Sequence, residues 1–324
     1  MKFKILSLGI AWGAACFLSA CGERAGAPPA TASTNAVVVT DALDRAVHFD
    51  RPPRRIAVAG KASFMIENAL RLFPEAREKG VDFLGNHFAQ RAEAGDFLAL
   101  VAPGHAAAAT FGGEAGVEQI AATQSDVVLM KSSVRRTGDA LDGAGLPVVF
   151  LDFETPAQYE RDLAILGQVL AATNRAGELI AYYRDVQAAV QAQTAGLETA
   201  AKPRTLLIQY AARSGTAAFS VPPPDWIQTE MVERAGGIPV WKDAAQPGGW
   251  TVVHLEQIAA WDPDVVLVVN YRGHAAQTVE TLRGDPSWQA LCATRTSRLY
   301  AVPGDYCSWD QPDPRWGLGL LWMA

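Results

Sequence analysis

The sequence has no basic block. Its 28 Lys and Arg stand against 34 Asp and Glu in 324 residues, a formal charge of −6 with the two signs interspersed. That balance argues against nucleic acid as a partner. Beyond residue 20 no apolar stretch is long enough to span a bilayer. Cysteine is scarce, four in all, and no Cys/His spacing of the zinc type occurs. The five histidines are scattered: His105 and His274 fall in loops, while His48, His87 and His254 read as surface or packing residues. The signatures G-x-S-x-G, H-E-x-x-H, G-x-x-x-x-G-K-[ST] and the dinucleotide fingerprint are also missing. An extracytoplasmic hydrolase stays open as an alternative, because Asp310 and Asp313 can be imagined as an acid/base pair. Pro312 and Pro314 around Asp313 favour a rigid surface turn instead. A small ligand or a docking protein fits the composition better.

What is present begins at the N-terminus. Lys2 and Lys4 precede an apolar run from Ile5 to Leu18, too short for a permanent span and typical of a secretion signal. The run closes on Leu18-Ser19-Ala20-Cys21, which resembles the lipobox of bacterial lipoproteins. The resemblance implies a signal peptide over 1–20, cleavage before Cys21 and a lipid on that cysteine. Residues 21–36, rich in Ala, Pro, Gly, Thr and Ser, read as a flexible tether. The expected location is the periplasmic side of the cell envelope, anchored to membrane by lipid, with inner and outer membrane both open. With Cys16 lost and Cys21 acylated, Cys292 and Cys307 remain, and whether they pair is left open.

From Val37 onward, short β-branched runs alternate with helical stretches, the pattern of parallel strands with crossover helices. Strands are expected over 55–59, 126–130, 147–153, 204–210, 264–270 and 298–302. Helices are expected over 63–73, 117–122, 226–234 and 255–261, and near 279–282. Thr155-Pro156-Ala157-Gln158 reads as a helix start with Thr155 as N-cap and Gln158 closing a capping box. An Ala-rich, Pro-free stretch over 175–197 would reach roughly 30 Å at 1.5 Å per residue. The expectation is an α/β protein of two lobes with mostly parallel sheets: a first lobe over 37–172, a linking helix over 173–200 and a second lobe over 201–324.

Several motifs then carry a resemblance. Asp41-Ala42-Leu43-Asp44-Arg45 followed by Pro53-Arg54-Arg55-Ile56-Ala57-Val58 resembles the opening of substrate-binding proteins for iron–siderophore, haem and cobalamin importers, with Asp44 where a glycine is usual. Glu118-Gln119-Ile120 before Ser125-Asp126-Val127-Val128-Leu129 is similar to a second family segment. Glu256-Gln257-Ile258 before Pro263-Asp264-Val265-Val266-Leu267 repeats it, and Ala235-Gly236-Gly237 matches a recurrent A-G-G. The resemblance implies the class III, helical-backbone fold, a monomeric binding component of an ABC importer rather than an enzyme, and a permease and its ATPase as partners. It also implies that Glu118 and Glu256 dock on the permease, although both also suit the first turn of a helix simply through its dipole. Relatives continue with a further helix where this chain ends, so either a truncated copy or a missing final helix is expected.

In open parallel sheets ligands collect beyond the carboxyl ends of strands. Those loops offer Lys61, Ser63 and Lys131 in the first half, and Arg213, Tyr271, Arg272 and Trp309 in the second. Trp250 adds an aromatic from its own glycine-flanked loop. Cations beside aromatics suit a bulky metal chelate. A ferric siderophore is the first expectation, haem or cobalamin the next, and an oxyanion such as molybdate the alternative. No cofactor and no direct metal site is expected. Trp226, Trp241, Trp261 and Trp288 are expected to pack in cores.

Overall fold

In the computed structural model, residues 36–84, 115–213, 216–271, 274–305 and 307–324 are described. The expected secretion signal, Cys21 and most of the expected tether lie outside them. A hairpin of β1 (Val37–Thr40) and β2 (Ala46–Phe49) opens the chain. Its turn is tied by Asp41, whose Oδ1 accepts the N–H groups of Leu43 at 2.9 Å and Arg45 at 3.1 Å. Asp44 stands there at φ +58°, a left-handed position that glycine or a short Asp tolerates, so the departure from the family glycine costs the turn little.

The first lobe is built on β3 (Arg55–Val58), α1 (Phe64–Leu70), β4 (Gly80–Phe83), α2 (Val117–Ala121), β5 (Val127–Lys131), α3 (Arg135–Gly143), β6 (Val148–Leu151) and α4 (Pro156–Leu170). Its sheet runs β4-β3-β5-β6, all parallel. Every residue of β5 and β6 is buried, which is what near-continuous apolar strands covered on both faces require. Thr155 caps α4 as expected, its Oγ1 accepting the Gln158 amide at 3.1 Å; Gln158 Oε1 reaches back to the Glu154 amide at 2.9 Å, one residue before the cap.

The linking helix is α5 (Thr173–Thr194), 22 residues and roughly 33 Å long. Ala176, Leu179, Tyr183, Val186 and Val190 form its buried stripe at helical spacing. The second lobe follows with β7 (Arg204–Arg213), β8 (Thr216–Val221), α6 (Ile227–Arg234), β9 (Ile238–Pro239), β10 (Thr251–Val253), α7 (Leu255–Trp261), β11 (Val265–Val269), α8 (Ala275–Gly284), β12 (Leu299–Ala301) and α9 (Trp316–Met323). Its sheet runs β10-β8-β7-β11-β12, with β9 beside β7. Here β8 and β10 are antiparallel, so this sheet is mixed.

The duplicated motif has a structural reason. Asp126 Oδ2 accepts the N–H groups of Arg54 at 2.7 Å and Arg55 at 2.9 Å, and Asp264 Oδ2 accepts that of Arg204 at 2.9 Å. In each lobe this aspartate fastens the start of one central strand to the start of its neighbour, satisfying donors that precede the ladder. The A-G-G motif ends α6: Gly236 has φ +86°, and a Cβ on Gly237 would lie 2.8 Å from Thr205 Oγ1.

The two lobes share one core. Ile56, Val58, Leu129 and Leu151 of the first sheet belong to the same buried cluster as Tyr159 and Tyr183 of α4 and α5, Ile227 and Met231 of α6, and Trp316 and Leu320 of α9. A second cluster fills the other lobe around Leu206, Ile208, Val268, Trp241 and Trp288. Among the described residues no helix is long and apolar enough to cross a membrane.

Candidate functional site

The loops after β3, β5 and β6 converge where the first lobe meets α6. Gly60 turns at φ +87°, and a Cβ there would lie 3.0 Å from Val134 Cγ2, so the first two of these loops are packed together. Lys61 is exposed on that turn, whereas Ser63 is buried and makes no side-chain cap bond to α1. Lys131 is buried. Its ammonium pairs with Glu154 and touches Met65 Sδ at 3.1 Å. The cation expected to face a ligand therefore already has a carboxylate partner. Ser132 donates to Asp152, and Arg161 bridges Asp152 at 2.7 Å and Asp162 at 2.8 Å. Asp162 in turn accepts the amides of Asp152 and Phe153 at 2.6 and 2.8 Å, which holds Phe153 at φ +58°.

From Glu154 the site passes directly into the second lobe. The Ile227 amide donates to the Glu154 carbonyl at 2.8 Å, setting Trp226 beside the first-lobe loops. Trp226 meets Trp250 edge to face at 6.2 Å between centroids, and Trp250 meets Tyr271 in the same manner at 5.9 Å. Such edge-to-face pairs fix ring orientation. The Tyr271 hydroxyl donates to Asp310, which also accepts from Ser308; Gln228 lies against both Tyr271 and Asp310. Burial, followed by the nearby Asp310, pushes the Tyr271 hydroxyl well above its ordinary range. Burial likewise raises the Asp310 carboxyl, against the hydrogen bonds of Ser308 and Tyr271.

The sequence-predicted residues thus divide. Trp250 and Tyr271 lie along the line Trp226–Trp250–Tyr271–Asp310, and the Ile227–Glu154 backbone bond ties the start of that line to the loop whose Glu154 pairs with Lys131. Trp309 immediately precedes Asp310 in the turn beyond β12, half-buried, with its Nε1 making no hydrogen bond within the described residues. Arg213 ends β7 at the tip of its hairpin, though its side chain lies outside the described set; Arg272 and His105 lie outside it altogether. Trp241 and Trp288 pack the second core as expected and Trp261 packs against its edge, but Trp226 joins the aromatic line instead. Gln228 and Ser308 were not singled out by sequence. The signal for Trp226 was its place directly after Pro222-Pro223-Pro224-Asp225, which sets it in a loop ahead of α6 rather than on the helix's buried face.

Glu118 and Glu256 are both exposed at the second position of their helices, α2 and α7. Neither has an ion-pair partner among the described residues. Cys292 and Cys307 are thiols rather than a disulfide. No group of three or more His, Cys, Asp or Glu able to hold a metal occurs among the described residues.

The profile of the periplasmic binding protein family matches residues 97–306. The chain belongs to this family. Its structure is similar to that of a periplasmic solute binding protein from Veillonella parvula DSM 2008, which is 23% identical with a TM-score of 0.68 over 89% of this chain and 85% of that one. A molybdate-bound periplasmic binding protein from Haemophilus influenzae is 18% identical with a TM-score of 0.70, covering 89% and 90%. An Fe3+-hydroxamate ABC-type transport protein from Saccharomonospora viridis is 21% identical with a TM-score of 0.61, covering 89% and 97%. No curated protein matches the chain. Periplasmic binding proteins of this kind are solute-binding proteins rather than enzymes; they work outside the cytoplasm with an ABC permease and its ATPase. The solved relatives establish the two-lobed α/β fold, and their different cargoes leave the cargo of this chain to its own side chains.

Proposed function

We propose that this periplasmic binding protein captures a metal chelate between its lobes, a ferric siderophore first and haem or cobalamin next, and delivers it to an ABC permease. The observation that carries the reading is the aromatic line Trp226–Trp250–Tyr271, which begins where the two lobes touch. Apolar ring faces held in fixed orientation suit a large ligand with flat or methylene-rich surface, and Trp250 and Tyr271 hold theirs by packing on the edge of the second core. An oxyanion such as molybdate, the alternative, can be held by hydroxyl and backbone N–H donors as well as by cations, and the buried cation here, Lys131, is already paired with Glu154. A ligand of this size would hold the lobes by its greater affinity for their closed arrangement. Lys61, Ser63, Lys131, Arg213, Trp250, Tyr271, Arg272 and Trp309 remain the proposed contacts. Glu118 and Glu256 remain the proposed docking points on the permease, and Cys21 the proposed lipid site.

Titration of the purified protein with a ferric trihydroxamate, haemin and molybdate, read by tryptophan fluorescence, tests the reading. A ferric chelate is expected to quench saturably, and Trp250→Ala to weaken that binding by roughly 10-fold or more, the loss of one aromatic contact of 1.4 kcal/mol or above. Saturable binding of molybdate with no response to either chelate would overturn it.

A further inference from the structure

Successive rings of the aromatic line do not share a plane. Trp226 and Trp250 stand at 82° with centroids 6.2 Å apart, and Trp250 and Tyr271 at 74° with centroids 5.9 Å apart. All three side chains are half-buried. Rings set nearly at right angles make a corner, and a planar macrocycle can lie flat against only one face of a corner. A compact cation in the same place can sit within about 6 Å of two centroids at once and meet the negative face of a ring. The polar groups beside the rings have the matching sign. The Tyr271 hydroxyl donates to Asp310, which leaves the phenol ring more electron-rich. Asp310 is fully buried, and its described partners are the Ser308 and Tyr271 hydroxyls and the Gln228 amide, none of them a cation. Gln228 is 2% exposed, and its Oε1 makes no hydrogen bond among the described residues. A buried acceptor of this kind costs free energy until a donor reaches it. At the lobe contact, Lys131 is 3% exposed and held by Glu154, whose side chain is 25% exposed. The carboxylate is thus the more accessible member of that pair.

We propose that Trp226, Trp250 and Tyr271 form a subsite for an alkylammonium group, so that the cargo is a chelate carrying a positively charged amine. The assignment rests on the proposed function, because it names a group on the same cargo. It also decides between the candidates given there. A linear ferric trihydroxamate that ends in an ammonium has the required group, whereas haem offers carboxylates and one broad flat face. The ring faces supply the attraction, and the right angles between them set the size of the group that fits.

Two forms of one chelate test the subsite: a linear ferric trihydroxamate with a free terminal ammonium, and the same chelate N-acetylated. Each is titrated into the purified protein by isothermal calorimetry at one pH and one ionic strength. The two differ by a single charge and keep the same iron centre. The ammonium form is expected to bind roughly 10-fold tighter or more, the worth of one partly desolvated cation–π contact. Trp250→Leu keeps apolar bulk but removes the ring, and should bring the two affinities within about 3-fold of each other. The net negative charge of the protein, which favours any cation, is untouched by that change. Equal binding of the two forms, tighter binding of the acetylated form, or a preference that survives Trp250→Leu would overturn the subsite while leaving chelate capture standing. Saturable binding of neither form would overturn the proposed ferric cargo and the subsite with it. Should Trp250→Leu not fold, Trp226→Leu carries the same comparison.

Discussion

Replacing Trp316 with Ala tests whether the two lobes are one energetic unit. Trp316 follows the second sheet in the chain, yet it is fully buried against first-lobe and linking-helix residues. Its ring stacks on Tyr183 at 5.0 Å with a 12° interplanar angle and meets Tyr159 edge to face at 6.0 Å. Truncating a buried Trp costs about 3–5 kcal/mol, and the two aromatic pairs place this site in the upper part of that range. With about 2.1 cal/mol/K of unfolding entropy per residue over roughly 290 residues, a loss of about 4 kcal/mol lowers the melting temperature by about 7 °C. The decisive readout is regional. Hydrogen exchange should accelerate in α4 and α5, which the substituted residue touches, as well as in α9. If α4 and α5 keep parental protection while only second-lobe peptides loosen, the shared-core argument fails.

Three further outcomes follow from named contacts. Glu154→Gln should cost about 2–3 kcal/mol, because Lys131 is 3% exposed and loses its counter-charge; adding Lys131→Met should restore most of it, and urea unfolding of single and double variants compares them. Gly319→Ala should destabilise by about 1–3 kcal/mol, since its Cβ would lie 2.3 Å from the Trp309 carbonyl oxygen and the backbone at Trp309 would have to shift; unchanged thermal stability would contradict the close approach. Glu118→Lys with Glu256→Lys should stop uptake in cells while leaving ligand capture by the purified protein intact, and normal uptake would remove the docking assignment.

Much of the fold was legible because its parallel strands are continuous apolar runs. Arg55–Val58, Val127–Lys131 and Val265–Val269 fall within a residue or so of where periodicity set them, and α7 has the expected bounds. The antiparallel edge was not. Thr216–Val221 is rich in Ala and Ser, and Thr251–Val253 is only three residues long, so both are strands through pairing with a neighbour rather than through their own pattern. Pro74 ended the first helix early and began a short 3-10 turn, and Gly80–Phe83 became a strand only by lying along β3. At the site, alternation located the loops but not the charge state of their residues. Lys131 reads as a free cation because Glu154 is 23 positions away, and only folding brings the two together. Trp226 shows the converse. Proline before a helix marked it as loop-borne, yet aromatic identity alone suggested a core.

The connections between the lobes constrain how a cargo can be held. Among the described residues the boundary is crossed by α5 along its buried stripe, the Ile227–Glu154 backbone bond, the Asn68–Asp313 junction, and the cluster that unites Trp316 with Tyr159 and Tyr183. A wide hinge opening would break all but the first, exposing a buried carboxylate and several aromatics at once. Closure must therefore be a small adjustment within one packed body, and a ligand contributes to it only through the difference in its contacts between nearby states. Selectivity then has to reside in walls formed beforehand. The edge-to-face arrangement of Trp226, Trp250 and Tyr271, anchored at one end by the lobe contact and at the other by Asp310, has that character. On the proposed docking, the two exposed glutamates, one on each lobe and each at a helix start, would let a permease act on both lobes and so on all the remaining contacts together.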